Sequence, residues 1–356
     1  MHFLKKKDPY VIFKNEKIFE IMNKMNTNNY KFLVVVDLKK KFLGTITDGD
    51  LRRNIIKKKF DKNLIAEKIM ANNTATSNSF NEVENSLIMK KKGIFFLPVL
   101  NSKKEIEKIL INKKIENIDR LKNNFKEKII LMAGGKGLRL RPYTKNLPKP
   151  MLKISKKRII EKIISDFVNQ GFNDFIITVN YLKKKIKRFI GDGSKFGCKV
   201  NYIEENTYMG TAGSLKKLNL TDYNQSSILV MNSDLVTNID YKKLIDFHIK
   251  KRADLTICSK YKDFTLPFGE IETDKYLNIK RIKEKPLKSY FVNLGIYVFK
   301  TTFLKKLKSY DFKMMNEVID YMLKKNHKVI TFPVYEEWQD IGNKEDYFKL
   351  KKKIKK

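Results

Sequence analysis

From residue 127 onward, short apolar runs alternate with amphipathic stretches. EKIILMA at 127–133 reads as a strand. RIIEKIISDFVNQG follows with helical apolar spacing and Gly171 just past its end, the pattern of a helix with a glycine stop. Strand and helix then keep alternating: FNDFIITVN, LKKKIKRFI, CKVNYIEE, a helix start at TAGSLKKL, SSILVMNSD, YKKLIDFHIKKR and ADLTICSK. Such alternation predicts a largely parallel sheet with helices on both faces, whose ligands bind beyond the carboxyl ends of the strands. The residues at those ends are the loop at 134–137, Asn180, Glu204, Glu205 and Asp234.

The first 115 residues follow another pattern. FLVVVD (32–37) and KKKFLGTITDGDLRRNI (39–55) read as strand, turn, strand and a helix capped near Asp48 or Asp50. From Ile65 a polar TATSNSF stretch leads to a helix over 83–91 and then GIFFLPVLN (93–101). The similar order at a spacing of roughly 60 residues predicts an internal pair. A lysine-rich stretch at 103–126 reads as a helical connector. The expected organisation is one unit at 1–60, a second at 61–118, a linker at 119–126 and an α/β domain at 127–356.

Composition narrows the function classes. At 356 residues and 42% hydrophobic, the chain can build two or three real cores. Its apolar runs fall far short of the roughly 20 residues a membrane helix needs, and no signal-peptide pattern appears, so no membrane association is expected. Two distant cysteines, Cys198 and Cys258, and three histidines argue against a zinc site or a disulfide framework. A reducing cytoplasm is the expected setting. The net charge of +37 invites a nucleic-acid reading. Lysine is spread over nearly every segment, however, and Asn and Ile are also abundant, as in the products of AT-rich genes. No specific nucleic-acid partner is expected, and the terminal KKKIKK reads as a frayed basic tail.

Candidate chemistry concentrates in LMAGGKGLRLRPYTKNLPKPM (131–151). Gly134, Gly135 and Gly137 let backbone N–H groups approach an anion, and Arg139, Arg141 and Lys149 supply charge. The loop is neither GxxxxGK[ST] nor GxGxxG, since position 140 is leucine. Asp234, after an apolar strand, could hold Mg²⁺ against a triphosphate or simply cap a turn. Asp340 in WQDIG is either a second ligand or the cap of a final helix. Glu284 and Asn293 could bond hydroxyls and Lys285 a phosphate, or all three could line a solvated strand rim. MGTAGSL (209–215) could contact a nucleotide or sugar, or be a plain cap. Thr47 and Asp50 suit a ribose and phosphate, or again a cap.

Together these motifs carry a resemblance. Residues 127–350 resemble the sugar-phosphate nucleotidyltransferase family, whose G-x-G-[ST]-R-[LM]-x-P and PKPM appear as GKGLRLRP (135–142) and PKPM (148–151). Its late-strand aspartate matches Asp234, its EKP matches 284–286, its N-x-G-[IV]-Y matches 293–297 and its W-x-D-I-G matches 338–342. MGTAGSL and PFGEIE resemble the branch acting on mannose-, heptose- or hexosamine-type 1-phosphates, often with GTP. Residues 1–115 resemble a tandem CBS pair, with TDGDLRR as its ribose and phosphate turn. The combination is similar to guanylyltransferases of bacterial nonulosonic (legionaminic-type) acid pathways, which build cell-surface polysaccharide.

The resemblance implies a Rossmann-like, GT-A-like α/β domain with a mostly parallel sheet, preceded by an α+β CBS pair. It implies the reaction NTP + sugar 1-phosphate → NDP-sugar + pyrophosphate, with Mg²⁺ and with GTP favoured over UTP or dTTP. Arg139 would bond the triphosphate, Lys149 would balance phosphate charge, and Asp234 and Asp340 would hold the metal. Ala133, Gly134, Gly135, Gly137, Gly210 and Thr211 would contact the nucleotide. Asn180, Gly213, Glu284, Lys285 and Asn293 would hold the sugar phosphate, and Thr47 and Asp50 an adenine nucleotide. A homodimer or higher homo-oligomer is expected. Two positions depart from the pattern: Leu138 stands for the usual Thr or Ser, and Ser233 for the usual Gly. They are the positions that would point to a regulatory homologue that binds without turnover. No TDxD follows LPVLN, so the pair should hold at most one competent nucleotide site. Titration calorimetry of the chain with AMP should therefore give saturable heat that Asp50→Ala abolishes. Absence of heat with AMP, ADP and ATP alike would leave the pair as a dimerisation module.

Overall fold

The structure, a computed structural model, describes residues 2–3, 8–28, 30–57, 61–112, 125–221 and 223–355. The chain divides into two compact units, Met1–Asn123 and Asn124–Lys356.

The first unit runs β1 (His2–Phe3), β2 (Val11–Phe13), α1 (Ile18–Thr27), β3 (Phe32–Val36), β4 (Phe42–Thr47), α2 (Asp48–Lys57), α3 (Ala66–Ile69), α4 (Glu82–Lys92), β5 (Phe96–Leu100) and β6 (Ile106–Ile111). Two three-stranded sheets form, in the orders β2-β3-β4 and β1-β6-β5. Each contains an antiparallel pair with an irregularity near one end, at Val35/Val36 and at Val99/Leu100. All five residues of β3 are buried, as in a strand covered on both faces. Phe32 stacks on Phe96 with ring centroids 3.9 Å apart, so residues of both sheets share one apolar cluster with Val34, Val36, Leu100 and Ile109. Asn81 caps α4 by accepting from the Val83 and Glu84 N–H groups, and Gly93 ends it at φ +61°.

The helical connector expected over 103–126 is not what forms at its start. Residues Ile106–Ile111 are strand β6, because IEKILI is rich in β-branched residues and pairs antiparallel with β5, burying Ile106 and Ile109. Residues 113–124 of that stretch, including most of the expected linker, lie outside the described residues.

The second unit runs β7 (Ile129–Ala133), β8 (Lys153–Ile154), β9 (Lys157–Arg158), α5 (Ile159–Val168), β10 (Asp174–Val179), α6 (Lys183–Ile190), β11 (Lys199–Glu204), β12 (Ser227–Asn232), β13 (Leu235–Thr237), α7 (Tyr241–Lys251), β14 (Leu255–Thr265), β15 (Glu270–Thr273), β16 (Ile279–Lys283), β17 (Leu287–Lys300), α8 (Thr301–Lys306), α9 (Met315–Lys324), β18 (Val329–Pro333), β19 (Trp338–Asp340) and α10 (Lys344–Lys355). Seven strands form the main sheet, in the order β11-β10-β7-β12-β17-β14-β18. β7 pairs parallel with β10 and β12, β14 pairs parallel with β18, and β17 alone runs against both its neighbours. The fold is α/β with a mostly parallel sheet.

Alternate residues of β7 feed opposite faces: Ile129, Leu131 and Ala133 enter one core, while Ile130 enters the other. On the first face, α5 presents Ile160, Ile163, Ile164 and Phe167, the helical spacing seen in the sequence. Phe167 stacks on buried Tyr241 at 3.8 Å between centroids. Past the sheet, β14 and β17 continue as a solvent-exposed ribbon that also carries the β15–β16 hairpin. The helix start expected at TAGSLKKL amounts to a single 3₁₀ turn, Gly213–Lys217. The Ala212 and Gly213 N–H groups donate to the Lys313 carbonyl instead, which fixes the loop before an α-helix can grow. Among the described residues, no helix is long and apolar enough to cross a membrane.

One histidine serves this core. His248 on α7 is buried, with Nδ1 2.8 Å from the Thr256 hydroxyl. Burial pulls its pKa down to about 4. The unfolded chain therefore takes up a proton at His248 before the folded chain does, and stability should fall as pH drops from 6.5 toward 4. Urea midpoints measured across that window should show the slope in the parent and a shallower one in His248→Gln.

Candidate active site

β7 and β12 are parallel neighbours, so their carboxyl ends open side by side. Ser233, just past β12, donates from both its N–H and its hydroxyl to the Met132 carbonyl, at 3.2 and 2.6 Å. The serine that departs from the family pattern thus clasps the two strand ends together. Beyond β7, Gly137 sits at φ +63°, and a Cβ there would lie 3.1 Å from Thr144 Cγ2 and 3.2 Å from Lys149 Cβ. Thr144 is buried and donates to the Gly137 carbonyl at 2.7 Å. This close approach folds the glycine loop back onto Lys149. Leu140, fully buried, anchors the 3₁₀ turn Leu138–Leu140 that carries Arg139. Lys149 begins a second 3₁₀ turn between two prolines, which fix the backbone on either side.

The two aspartates meet through a small β-bridge. β13 pairs antiparallel with β19, placing Leu235 opposite Asp340, and the Ile341 N–H donates to the Asp234 carbonyl at 3.1 Å. Neither aspartate caps a helix: Asp240 caps α7, and Asn343 accepts from the Asp346 N–H at the start of α10. The Lys149 ammonium donates to Asp234 Oδ2 and lies 3.9 Å from Asp340 Oδ1. Asp234 Oδ1 and Asp340 Oδ1 are buried and accept no hydrogen bond. The Asp340 carboxyl is pushed above its ordinary pKa by burial and by the charge of Asp234, with Lys149 and Arg139 pulling the other way.

Two under-satisfied carboxylate oxygens of this kind fit a hard divalent cation. Among the described residues, no group of three or more His, Cys, Asp or Glu is arranged to hold a metal. A cation here would complete its coordination with substrate oxygens and water, the usual arrangement for Mg²⁺.

A cavity of about 640 Å³ opens over these groups. Its walls include Ala133, Gly134, Gly135, Gly137, Arg139, Lys149, Gly210, Thr211, Asp234 and Asp340, which the sequence had marked from separate motifs. Exposed Leu138 also lines it. Gly210 sits at φ +78°, where a Cβ would fall 2.2 Å from the Lys313 carbonyl oxygen. The Thr211 hydroxyl accepts from the Met315 N–H at 2.9 Å, so this threonine also braces α9.

The lining residues given no role by the sequence include Tyr208 and Glu205. Tyr208 is exposed on the rim. Glu205, only 3% exposed, follows β11 and accepts from the Met209 N–H at 3.1 Å. Its carboxylate oxygens lie 3.0 and 3.1 Å from where a Gly134 Cβ would stand. Its position at a strand end, next to a second glutamate, was the only available signal.

Five expected sugar-phosphate residues do not line this cavity. Asn180 donates to the Glu205 carbonyl at 3.2 Å. Gly213 is buried in its 3₁₀ turn. Glu284 and Lys285 are exposed on the ribbon segment. Asn293 spends both ends of its amide within its own strand, donating to the Tyr297 hydroxyl and accepting from the Gly295 N–H. In the first unit, Thr47 donates from its N–H and hydroxyl to Asp50 Oδ2 at 2.9 and 2.5 Å, and Arg53 pairs with the same carboxylate. A cavity of about 610 Å³ in that unit is lined by Asp8, Glu16 and Lys24 among others, and not by Thr47 or Asp50.

Comparison with known proteins follows the same division. The family model described as Nucleotidyl transferase matches residues 128–356, and the CBS domain model matches residues 4–57. Glucose-1-phosphate adenylyltransferase of Bacillus cytotoxicus is 31% identical over 60% of this chain and 64% of its own length. The chain thus spans about two thirds or less of the curated relatives it matches. The structure of HddC from Yersinia pseudotuberculosis complexed with GMP-PN is 26% identical, with a TM-score of 0.50 over 64% of this chain and 99% of that one. A putative glucose-1-phosphate thymidylyltransferase from Bacillus anthracis, at 20% identity and a TM-score of 0.52, covers 64% of this chain and 94% of its own and shares the fold. With the family model matched over well more than half its length, and with the strand-end site built from that segment, the chain belongs to the nucleotidyl transferase family and carries a CBS domain near its N-terminus.

Proposed function

We propose that the protein is a sugar-1-phosphate guanylyltransferase, joining GTP to a hexosamine- or mannose/heptose-type 1-phosphate and releasing pyrophosphate. The observation that carries the choice of base is Glu205. Its buried carboxylate borders the cavity and can only accept hydrogen bonds. Guanine offers two adjacent donors, N1–H and the 2-amino group. Adenine would set its N1 lone pair against the carboxylate, and uracil and thymine offer a lone N3–H between carbonyls. The HddC structure with GMP-PN supports the same reading. The curated adenylyltransferase relatives favour ATP instead, and the Glu205 carboxylate is the feature that argues against it. The sugar class rests on MGTAGSL and PFGEIE.

In this reading an oxygen of the sugar phosphate attacks the α-phosphorus of GTP, and the bond to the β-phosphate breaks. The sugar phosphate is already mostly dianionic at neutral pH, its second pKa being near 6, so no general base is needed. The barrier is electrostatic: two unit charges about 4 Å apart repel by roughly 4 kcal/mol at an effective dielectric of 20. Arg139 and Lys149, which line the cavity, offset that repulsion, and the glycine loop brings backbone N–H groups to the phosphates. Asp234 and Asp340 would hold Mg²⁺, which when bound neutralises phosphate oxygens. Glu284, Lys285 and Asn293 would reach the sugar only if the ribbon approaches the cavity. The CBS unit would add regulation by an adenine nucleotide.

A matrix of four nucleoside triphosphates against several sugar 1-phosphates, scored for pyrophosphate, tests the reading. GTP should exceed ATP, UTP and dTTP by at least about tenfold in kcat/KM, and Glu205→Gln should lower the GTP value by about ten- to a hundredfold, the loss of one charged hydrogen bond. Preference for any other base sinks the guanylyl reading. Asp234→Asn should abolish turnover with an unchanged circular dichroism spectrum.

A further inference from the structure

The position of Lys149 bears on how the site is loaded. Its ammonium is bonded to Asp234 Oδ2 and sits 3.9 Å from Asp340 Oδ1, with the side chain only 12% exposed. One cation therefore already stands where the two carboxylates converge. We infer that Lys149 is a place-holder: it occupies the cation position between Asp234 and Asp340 until a nucleotide arrives, so that a divalent metal binds together with the nucleotide and poorly ahead of it. The inference rests on the reading of Asp234 and Asp340 as metal ligands.

Charge explains the coupling. With Lys149 in place, the two aspartates and the ammonium sum to one negative charge. An incoming dication would find one oxygen of Asp234 engaged and would lie beside a fixed positive group. The lysine cannot move far as a unit, because Pro148 and Pro150 flank it and its Cβ packs under Gly137. What can move is the flexible end of the side chain. A triphosphate lying on the glycine loop gives the ammonium a new anionic partner a short swing away. The oxygen it leaves, Asp234 Oδ2, joins the orphaned Oδ1 atoms of both aspartates. Metal and nucleotide then enter as a complex. Without them, the lysine offsets the repulsion between the two aspartates.

The test uses Mn²⁺ alone as probe, with the full chain and no nucleotide, free Mn²⁺ being read by electron paramagnetic resonance. Lys149→Met should bind Mn²⁺ at least about tenfold more tightly than the parent, since a neutral side chain no longer competes. Lys149→Gln should agree, and Lys149→Arg, which keeps the charge, should stay as weak as the parent. Mn²⁺ binding no tighter in Lys149→Met and Lys149→Gln than in the parent overturns the place-holder role. If those variants do bind tightly but adding Asp234→Asn leaves that affinity unchanged, the metal is elsewhere, and the ligand reading fails together with the inference.

Discussion

Two carboxylates of like charge must be held within reach of one another, and most of the second unit can be understood as the means of holding them. Asp234 lies in the turn between β12 and β13, and Asp340 more than a hundred residues later in β19. The backbone pairing of β13 with β19 and the bond from the Ile341 N–H to the Asp234 carbonyl bring them together. Backbone hydrogen bonds suit this task because they are indifferent to the charge they juxtapose. The Lys149 ammonium then offsets the repulsion locally, and the glycine loop folds back onto this lysine so closely that a Cβ at 137 would crowd its Cβ. Loop, strand end and bridge are therefore interdependent.

The same dependence runs into the core. The loop stays at the cavity because Leu140 and Thr144 are buried beneath it, and β7 stays level with β12 because Ser233 bonds to the Met132 carbonyl. Each anchoring group is small or apolar and lies a few residues from a charged one. Chemistry and packing are thus interleaved along the chain rather than divided between segments.

This interleaving governs what could be read from the sequence. Five strands of the main sheet, β7, β10, β11, β12 and β14, were legible as short apolar runs between helical stretches, and α5 because its isoleucines repeat at helical spacing, whereas β17 and β18 were not read as strands. Residues 106–111 were not legible either, since lysines and glutamates around a short β-branched run look alike in a helix and in a short strand. The turn at Gly213 depends on a carbonyl at Lys313, a partner no local pattern announces. Asp234, Asp340, Arg139 and Lys149 stood out as charged residues set in apolar or proline-bound contexts. Glu205 was marked only as a strand-end residue, because its burial and its distance to Gly134 are set by the packing of β10 against β11.

The contact between Glu205 and Gly134 has a consequence for how such a site can change over time. A methyl group at 134 would crowd the Glu205 carboxylate at 3.0–3.3 Å and make it give by a few tenths of an ångström; with a shorter residue at 205 it would find room. The two positions are therefore not free to drift separately. An alanine at 134 arising first would press on the carboxylate and be selected against, whereas a shortened side chain at 205 would open the way for it. Once that alanine were fixed, a return to glutamate would meet the same crowding. In the proposed guanylyl reading, the contact would tie the choice of base at 205 to the residue at 134 through the space one hydrogen atom leaves.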